Sequence, residues 1–318
     1  MNDPNTPGPA PANACAQAVH RFDETASVQA LLAVCEAAFT QAPGLKQLSL
    51  TGPLSTAVTT LSCEGLLRQS GQDLFICTAQ AFWQSPRPWL PKASFVAPPV
   101  EFVTTGETRH PLRPMPSSGL LYRRFIPWLG QTLTFEIADA DRDLPAFNRW
   151  MNSPRVAEFW EEQGSLERHH AYLQTLLDDS HAQPVIGRFD GVAFGYFETY
   201  WAKEDRIAPF YQPHDFDRGL HLLVGEEAFR GKAFYTAWFS SLCHYLFLDD
   251  PRTQRIVCEP RHDNHRQIAN FERSGFTGVK HFDFPHKRAL LVMLSRERFF
   301  EDRLYQPLDN HPHQESTT

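Results

Sequence analysis

The stretch from Gly219 to Phe247, GLHLLVGEEAFRGKAFYTAWFSSLCHYLF, constrains the fold more than any other. Leu220 to Val224 is an apolar run of the length of a buried strand. Gly225-Glu226-Glu227 breaks it, and a glycine-centred loop follows at Arg230-Gly231-Lys232-Ala233. From Tyr235 to Phe247 apolar residues recur at helical spacing, with Trp238, Leu242, Tyr245 and Leu246 on the repeat. Strand, glycine loop and helix start, in that order, make an anion cradle. The first turn of a helix leaves backbone N–H groups unpaired at the positive end of the dipole. Glycine lets the chain bring those groups close to a phosphate. Arg230 and Lys232 add positive charge to the same loop.

The flanking sequence supplies a sheet for that unit. Leu133 to Ile137 reads as a strand. Asp141 to Asn152 reads as a helix, with Asp141 or Asp143 as N-cap. Pro154 to Glu161 is a second, short helix, and Ser165 to Leu177 is a third. Pro184 to Arg188 and Val192 to Trp201 form a hairpin about Asp190-Gly191. After the central unit come a strand at Arg255 to Glu259 and a helix at Asp263 to Ser274, closed by Gly275. Strands at Lys280 to Asp283 and Ala289 to Leu294 and a tail helix at Arg296 to Leu304 complete the set. The order predicts a mixed α/β sheet.

Ahead of it, Ser27 to Phe39 is an amphipathic helix, Leu45 to Leu50 a strand, Leu61 to Arg68 a further helix, and Asp73 to Thr78 a strand. Pro98, Pro99, Pro111, Pro114 and Pro116 then crowd together, which blocks helix and interior strand and marks a connector. These shifts give a lead-in at 1–20, an N-terminal domain with its connector at 21–118, a main domain at 119–306 and a loose tail at 307–318.

At 318 residues there is room for two domains. The net charge of −7 argues against nucleic acid or an acidic membrane as partner. No apolar run approaches the roughly 18 residues that span a bilayer. The Pro- and Asn-rich start lacks the apolar centre of a secretion signal. Six widely spaced cysteines without a CxxC fit buried thiols in a reducing cytoplasm. His169-His170 and the pair His262, His265 lack a third ligand at metal spacing, so no metal is expected.

Five strings stand in order between about Leu133 and Leu304: FNRWMNSPRVAEFWEEQGSLERHHAYL, FGYFETYWAKEDRI, FDRGLHLLVGEEAFRGKAF, EPRHDNHRQIANFERSGF and FDFPHKRALLVM. Together they resemble the GNAT acyltransferase superfamily and, within it, the siderophore-biosynthesis acyltransferases of the aerobactin type, the N-hydroxylysine acetyltransferases. The generic loop of the superfamily reads Q/R-x-x-G-x-G/A. Here Ala228 holds the first position, and Arg230 is the nearest source of the missing charge. The N-terminal part, with FWQSPRPWL at Phe82 to Leu90, resembles the extra domain of the longer members; one reading of it is a degenerate copy of the same fold. That domain would shield the cleft or make a homodimer contact.

The resemblance implies acetyl-CoA as acyl donor, an N-hydroxylated amine or amino acid as acceptor, and a hydroxamate as product. In this family the thioester enters between two strands that part, here Leu220–Val224 and Arg255–Glu259. The family's functional His and Asp fall on His221 and Asp263. Hydroxylamine attack needs a proton acceptor and a donor for the developing oxyanion. Asp263 is assigned as acceptor, with His221 orienting the hydroxylamine. The reverse stays open, because imidazole with a pKa of about 6.5 suits base work. A backbone N–H near Leu222 or Leu223 would polarise the carbonyl. Leu223, Val224, Arg230, Gly231, Lys232 and Ala233 would hold the donor. Trp150, Trp160, Glu198, Trp201 and Arg155 would line the acceptor side. Without the resemblance, each has a plainer reading: His221 and the tryptophans as core, Asp263 as a helix cap. N-hydroxyornithine, N-hydroxycadaverine or N-hydroxyputrescine as acceptor, succinyl-CoA as donor, and a non-catalytic binding module are the alternatives.

Overall fold

The structure, a computed structural model, describes residues 18–93, 97, 99–115 and 118–307. All but the last three residues of the expected lead-in, with Cys15, Pro98, Pro116, His311, His313 and nearly all of the expected tail, lie outside the described residues; Ala18, Val19 and His20 are corrected from lead-in to the start of a strand. The chain divides into two compact units, one ending at Trp83 and one starting at Gln84.

In the first unit β1 (Ala18–Arg21), β2 (Gln47–Thr51), β3 (Leu67–Gly71) and β4 (Leu74–Thr78) form a sheet in the order β1-β2-β4-β3. Helices α1 (Val28–Gln41), α2 (Thr56–Cys63) and α3 (Ala79–Gln84) accompany it. Ser27 and Ser55 cap α1 and α2 through their hydroxyls. The helix expected at Leu61 to Arg68 is corrected. Its first residues belong to the end of α2, Gly65 turns the chain at φ 75°, and Leu67 begins a strand. Of the cysteines described, only Cys63 is exposed.

The second unit takes in the Pro-rich segment, so the division falls well before the expected boundary at 118. Trp89 explains why. It is buried, stacks on Tyr122 at 6.4 Å, packs edge-on against His244 at 5.4 Å, and its carbonyl accepts from Arg123 N–H. The expected connector also contains a hairpin, β5 (Phe102–Thr105) and β6 (Thr108–Pro111), with its proline at the very end of the strand, where no ladder donor is lost.

The main sheet runs β13-β14-β12-β11-β10-β9-β8-β7. Its strands are β7 (Leu120–Ile126), β8 (Gln131–Ile137), β9 (Ala182–Phe189), β10 (Val192–Trp201), β11 (Arg218–Val224), β12 (Arg255–Cys258), β13 (Thr277–Asp283) and β14 (Arg288–Ser295). Every neighbouring pair is antiparallel except β11 with β12. Helices α4 (Leu144–Met151), α5 (Pro154–Trp160) and α6 (Leu166–Leu177) cover one face, through Phe147, Trp150, Met151 and Leu173 on Ile186, Tyr196 and Leu223. On the other face α7 (Lys232–Asp249) packs Trp238 on Phe194 and Phe197. Helices α8 (His265–Arg273) and α9 (Arg296–Glu301) follow. Asn264, not Asp263, caps α8 by accepting from Gln267 N–H.

Candidate active site

β11 pairs with β12 only at its base, Arg218 with Ile256 and Gly219 with Val257. Beyond that the two part, while β10 follows β11 all the way to Val224. The Leu223 carbonyl lies 2.5 Å from where a Cβ on Gly195 of β10 would be, so the odd-numbered backbone groups of β11 point toward β10 and the even-numbered ones toward β12. Of the latter, the carbonyls of Leu222 and Val224 accept from Trp160 Nε1 at 3.3 Å and Arg155 Nη2 at 2.7 Å. Because N–H and C=O of one strand residue share an edge, the amides of Leu222 and Val224 face the gap.

His221 lies directly across from Glu198 on β10. Its Nδ1 is 2.9 Å from Glu198 Oε2, and its Nε2 is 3.1 Å from Oε1 of Glu259, the residue after β12. Tyr172 and Tyr196 donate to Glu198 Oε1 at 2.5 and 3.0 Å, and Tyr200 donates to Glu259 Oε2 at 2.9 Å. Both carboxylates are buried, whereas a quarter of the His221 side chain is open to the cleft. The period of two along β10 explains the gathering: Tyr196, Glu198 and Tyr200 share one face.

Burial opposes charge on all three groups, yet mutual pairing outweighs it. Burial works against the imidazolium, and Glu259 and Glu198 push its pKa up to about 10. The Glu259 carboxyl, buried but facing His221 and Lys287, falls well below the usual range. Glu198 is lowered too, by His221 and the tyrosines against its burial. Burial and the carboxylates raise the phenols of Tyr172 and Tyr200, which therefore stay protonated donors. At neutral pH the site is an imidazolium between two carboxylates. That unit has net charge −1, so it can accept one proton and end neutral.

The structure does not bring Asp263 to this group. Both its oxygens take the Arg261 guanidinium, at 2.7 and 3.0 Å, its side chain is 48% exposed, and it is not among the residues lining the cleft. Glu259, missed from sequence, stands beside His221 instead. The signal was a carboxylate closing an apolar strand, RIVCE. Trp201 is corrected as well. It lies one residue past Tyr200, hence on the opposite face, buried with Arg113 and Arg218 on its ring at 4.2 and 4.1 Å. Trp160 and Arg155 line the cleft; Trp150 is buried behind it, donating from Nε1 to Glu226 at 2.8 Å.

At the far end Gly231 caps α7 with φ 103°, a backbone conformation that costs an L-residue about 1–3 kcal/mol. No side chain caps the first turn, and nothing lies within 4 Å of where a Gly231 Cβ would be. Arg230 and Lys232 line the cleft here, Arg230 with its guanidinium on Glu227 at 2.6 and 2.9 Å, and Arg266 and Arg273 line the same cleft from α8. Leu223 and Val224 line it farther in. Ala233 is not among the lining residues; its carbonyl accepts from Trp128 Nε1. Uncapped amides, open space and basic side chains fit a diphosphate. Among the described residues no cluster of His, Cys, Asp or Glu is arranged to hold a metal ion, and no helix is long and apolar enough to cross a membrane.

A sheet with one parted parallel step, a glycine-capped helix start beyond it and a His–carboxylate cluster beside the gap are the features of an acyltransferase of the GNAT type. The sequence profile of the acetyltransferase (GNAT) domain matches residues 139–284, and the chain belongs to the GNAT acetyltransferase family. It is 47% identical over 223 residues to the N(6)-hydroxylysine O-acetyltransferase of Escherichia coli, a match covering 70% of each chain. A Schizosaccharomyces pombe protein named for lysine N-acylation is 47% identical over 221 residues, 69% of this chain and 66% of that one. The N(5)-hydroxyornithine:cis-anhydromevalonyl coenzyme A-N(5)-transacylase of Beauveria bassiana is 44% identical over 200 residues, spanning 61% of this chain and 44% of its own length. Among solved structures, an uncharacterized protein of Bacillus halodurans superposes with a TM-score of 0.55 at 30% identity, over 59% of this chain and 96% of that one.

Proposed function

We propose that this chain transfers an acetyl group from acetyl-CoA to the N-hydroxylated side chain of lysine, forming a hydroxamate for a siderophore. The observation that carries the reading is His221 held between Glu198 and Glu259 where β11 and β12 part. The E. coli relative, named for N(6)-hydroxylysine, supports the acceptor. The donor supplies an activated acyl carbon. The hydroxylamine nitrogen forms the new N–C bond as the C–S bond breaks, and the nitrogen's proton goes to the protein and from there to the departing thiolate, which leaves as the thiol of coenzyme A.

A hydroxylamine is mostly unprotonated at neutral pH, so one proton acceptor suffices. Glu259 is the acceptor we assign, because it lines the cleft with its Oε1 on His221 Nε2, the ring that opens to the cleft, and the imidazolium holds it ionised until the proton arrives. Glu198 fixes the ring from the other side, and the tyrosines fix Glu198 and Glu259. The amides of Leu222 and Val224 are the donors for the acyl oxygen and the stem of the donor; the α7 start with Gly231 holds its diphosphate. Trp160 and Tyr172 form an apolar wall for the acceptor's aliphatic stem. Holding both partners in one cleft supplies several kcal/mol of the barrier reduction with no covalent acyl-enzyme.

The Beauveria relative favours a second acceptor, N(5)-hydroxyornithine, one methylene shorter. The test is a panel: N-hydroxylated lysine, ornithine and cadaverine crossed with acetyl- and succinyl-CoA, the hydroxamate read as its ferric complex. The highest kcat/KM is expected for N-hydroxylysine with acetyl-CoA. No hydroxamate from any pair would sink the reading in favour of a binding module.

A further inference from the structure

Residues 202–217 join β10 to β11 and carry Asp205 and Arg206 to the cleft. This loop is clamped from the segment that sequence reads as a connector. Arg113 donates to the two carboxylate oxygens of Glu204 at 2.6 and 2.9 Å, and to the carbonyl of Asp215 at 2.7 Å. His110 Nδ1 stands 3.5 Å from the same carboxylate. The Arg113 and Glu204 side chains are only 2% and 6% exposed. Charges taken that far from water persist only when fully paired, and removing one leaves the other buried and uncompensated. A single side chain thus ties down both limbs of the loop, at Glu204 and at Asp215.

Arg206 is held quite differently. Its side chain is half exposed, and its nearest acceptor, Glu259 Oε1, is 3.5 Å away. That oxygen already faces His221, and its partner oxygen takes Tyr200. The guanidinium also lies over the Phe284 ring, 5.5 Å from its centroid, and 3.5 Å from His221 Nε2, a donor in the imidazolium, and two donors do not bond each other. Lys287 Nζ stands 3.8 Å from Glu259 Oε1. Asp205 is engaged with His181 and with the N–H of Ile207. Three cations, His221, Arg206 and Lys287, therefore face two carboxylates, and the guanidinium keeps donors spare on its solvent side.

We propose that Arg206 binds a carboxylate carried by a substrate, and that Arg113 is the positioning residue that holds the loop, and so Arg206, over the cleft. This rests on the proposed acyl transfer. The carboxylate belongs either to an amino-acid acceptor or to a dicarboxylic acyl donor, and two arms separate these sources. One compares N-hydroxylysine with its decarboxylated analogue N-hydroxycadaverine, at constant acetyl-CoA. The other compares succinyl-CoA with acetyl-CoA, at constant N-hydroxycadaverine.

In the arm whose carboxylate Arg206 binds, Arg206→Gln lowers the kcat/KM preference for the carboxylate-bearing partner by about 10- to 100-fold, mainly through KM, and Arg206→Lys recovers part of it. Arg113→Met produces the same loss of preference and opens the loop to trypsin after Lys203 or Arg206. Should that variant not fold, Glu204→Gln is read the same way. Unchanged preference in both arms for Arg206→Gln overturns the Arg206 assignment. A wild-type tryptic pattern in the clamp variants overturns the Arg113 assignment. If the wild type acylates no pair, the functional reading and the Arg206 role fall together, and the tryptic pattern still decides the clamp.

Discussion

Glu259→Gln is the most direct probe of the proton-accepting unit. His221 titrates at about 10 in the intact site, against 6.5 for the free side chain. That difference is roughly 5 kcal/mol in favour of the imidazolium after its burial has been overcome. Glu259 is the first of the carboxylates that supply it, ahead of Glu198. Losing that support moves the His221 titration down from about 10 toward its free value. The amide of glutamine cannot take the reaction's proton, so kcat falls about 100- to 10,000-fold, the worth of a positioned general base. The titration is followed by NMR on imidazole-labelled protein, with His221 assigned from a His221→Gln spectrum, and kcat by hydroxamate release. An imidazole that still titrates near pH 10, or a kcat within about three-fold of wild type, would refute the assignment.

The remaining expectations concern residues around that unit. Asp263→Asn, which alters only an exposed pair with Arg261, leaves kcat within about five-fold of wild type; a loss as large as that of Glu259→Gln would return the base role to Asp263. Gly225→Ala puts a Cβ about 2.2 Å from the Trp150 ring and costs about 3 kcal/mol in urea unfolding; an unshifted midpoint would mean Trp150 moves aside freely. Gly231→Asp weakens coenzyme A binding in calorimetry, through both a forced positive φ and a carboxylate at the anion cradle; wild-type affinity would remove the diphosphate from this loop. Stability against pH follows from the signs of the shifts. The raised His221 contributes fully below its unfolded value of about 6.5 and is lost as pH climbs through about 10; the lowered Glu198 and Glu259 contribute above about 4.5 and are lost on acidification. A broad stability plateau between those limits is expected, and Glu259→Gln should pull its alkaline edge downward in thermal melts.

Much of the local structure was legible in the residues. Runs such as Leu220 to Val224, the glycine at 231 and the serine caps act over a few neighbours, and physics at that range is written in the chain. His221 and Glu198 could be named because each is a polar interruption of a buried strand. Two misreadings came from the same limit: Leu61 to Arg68 merges a helix end with a strand start across Gly65, and the prolines of the connector hide a hairpin that tolerates Pro111 at its end.

What sequence could not decide is which carboxylate meets the imidazole. Asp263 and Glu259 lie four residues apart, both near the end of β12, and either could serve by type. Their choice rests on the parting of β11 from β12, the pleat that sends Tyr200 inward and Trp201 outward, and Arg261, which turns Asp263 aside. The chain alone determined strands, helix starts and the glycine-centred loop ahead of α7, since those follow from neighbours along it. Only the tertiary structure decided the His221–Glu198–Glu259 unit and the Arg113 clamp, because each joins groups tens of residues apart whose charges are compatible with burial only when they meet.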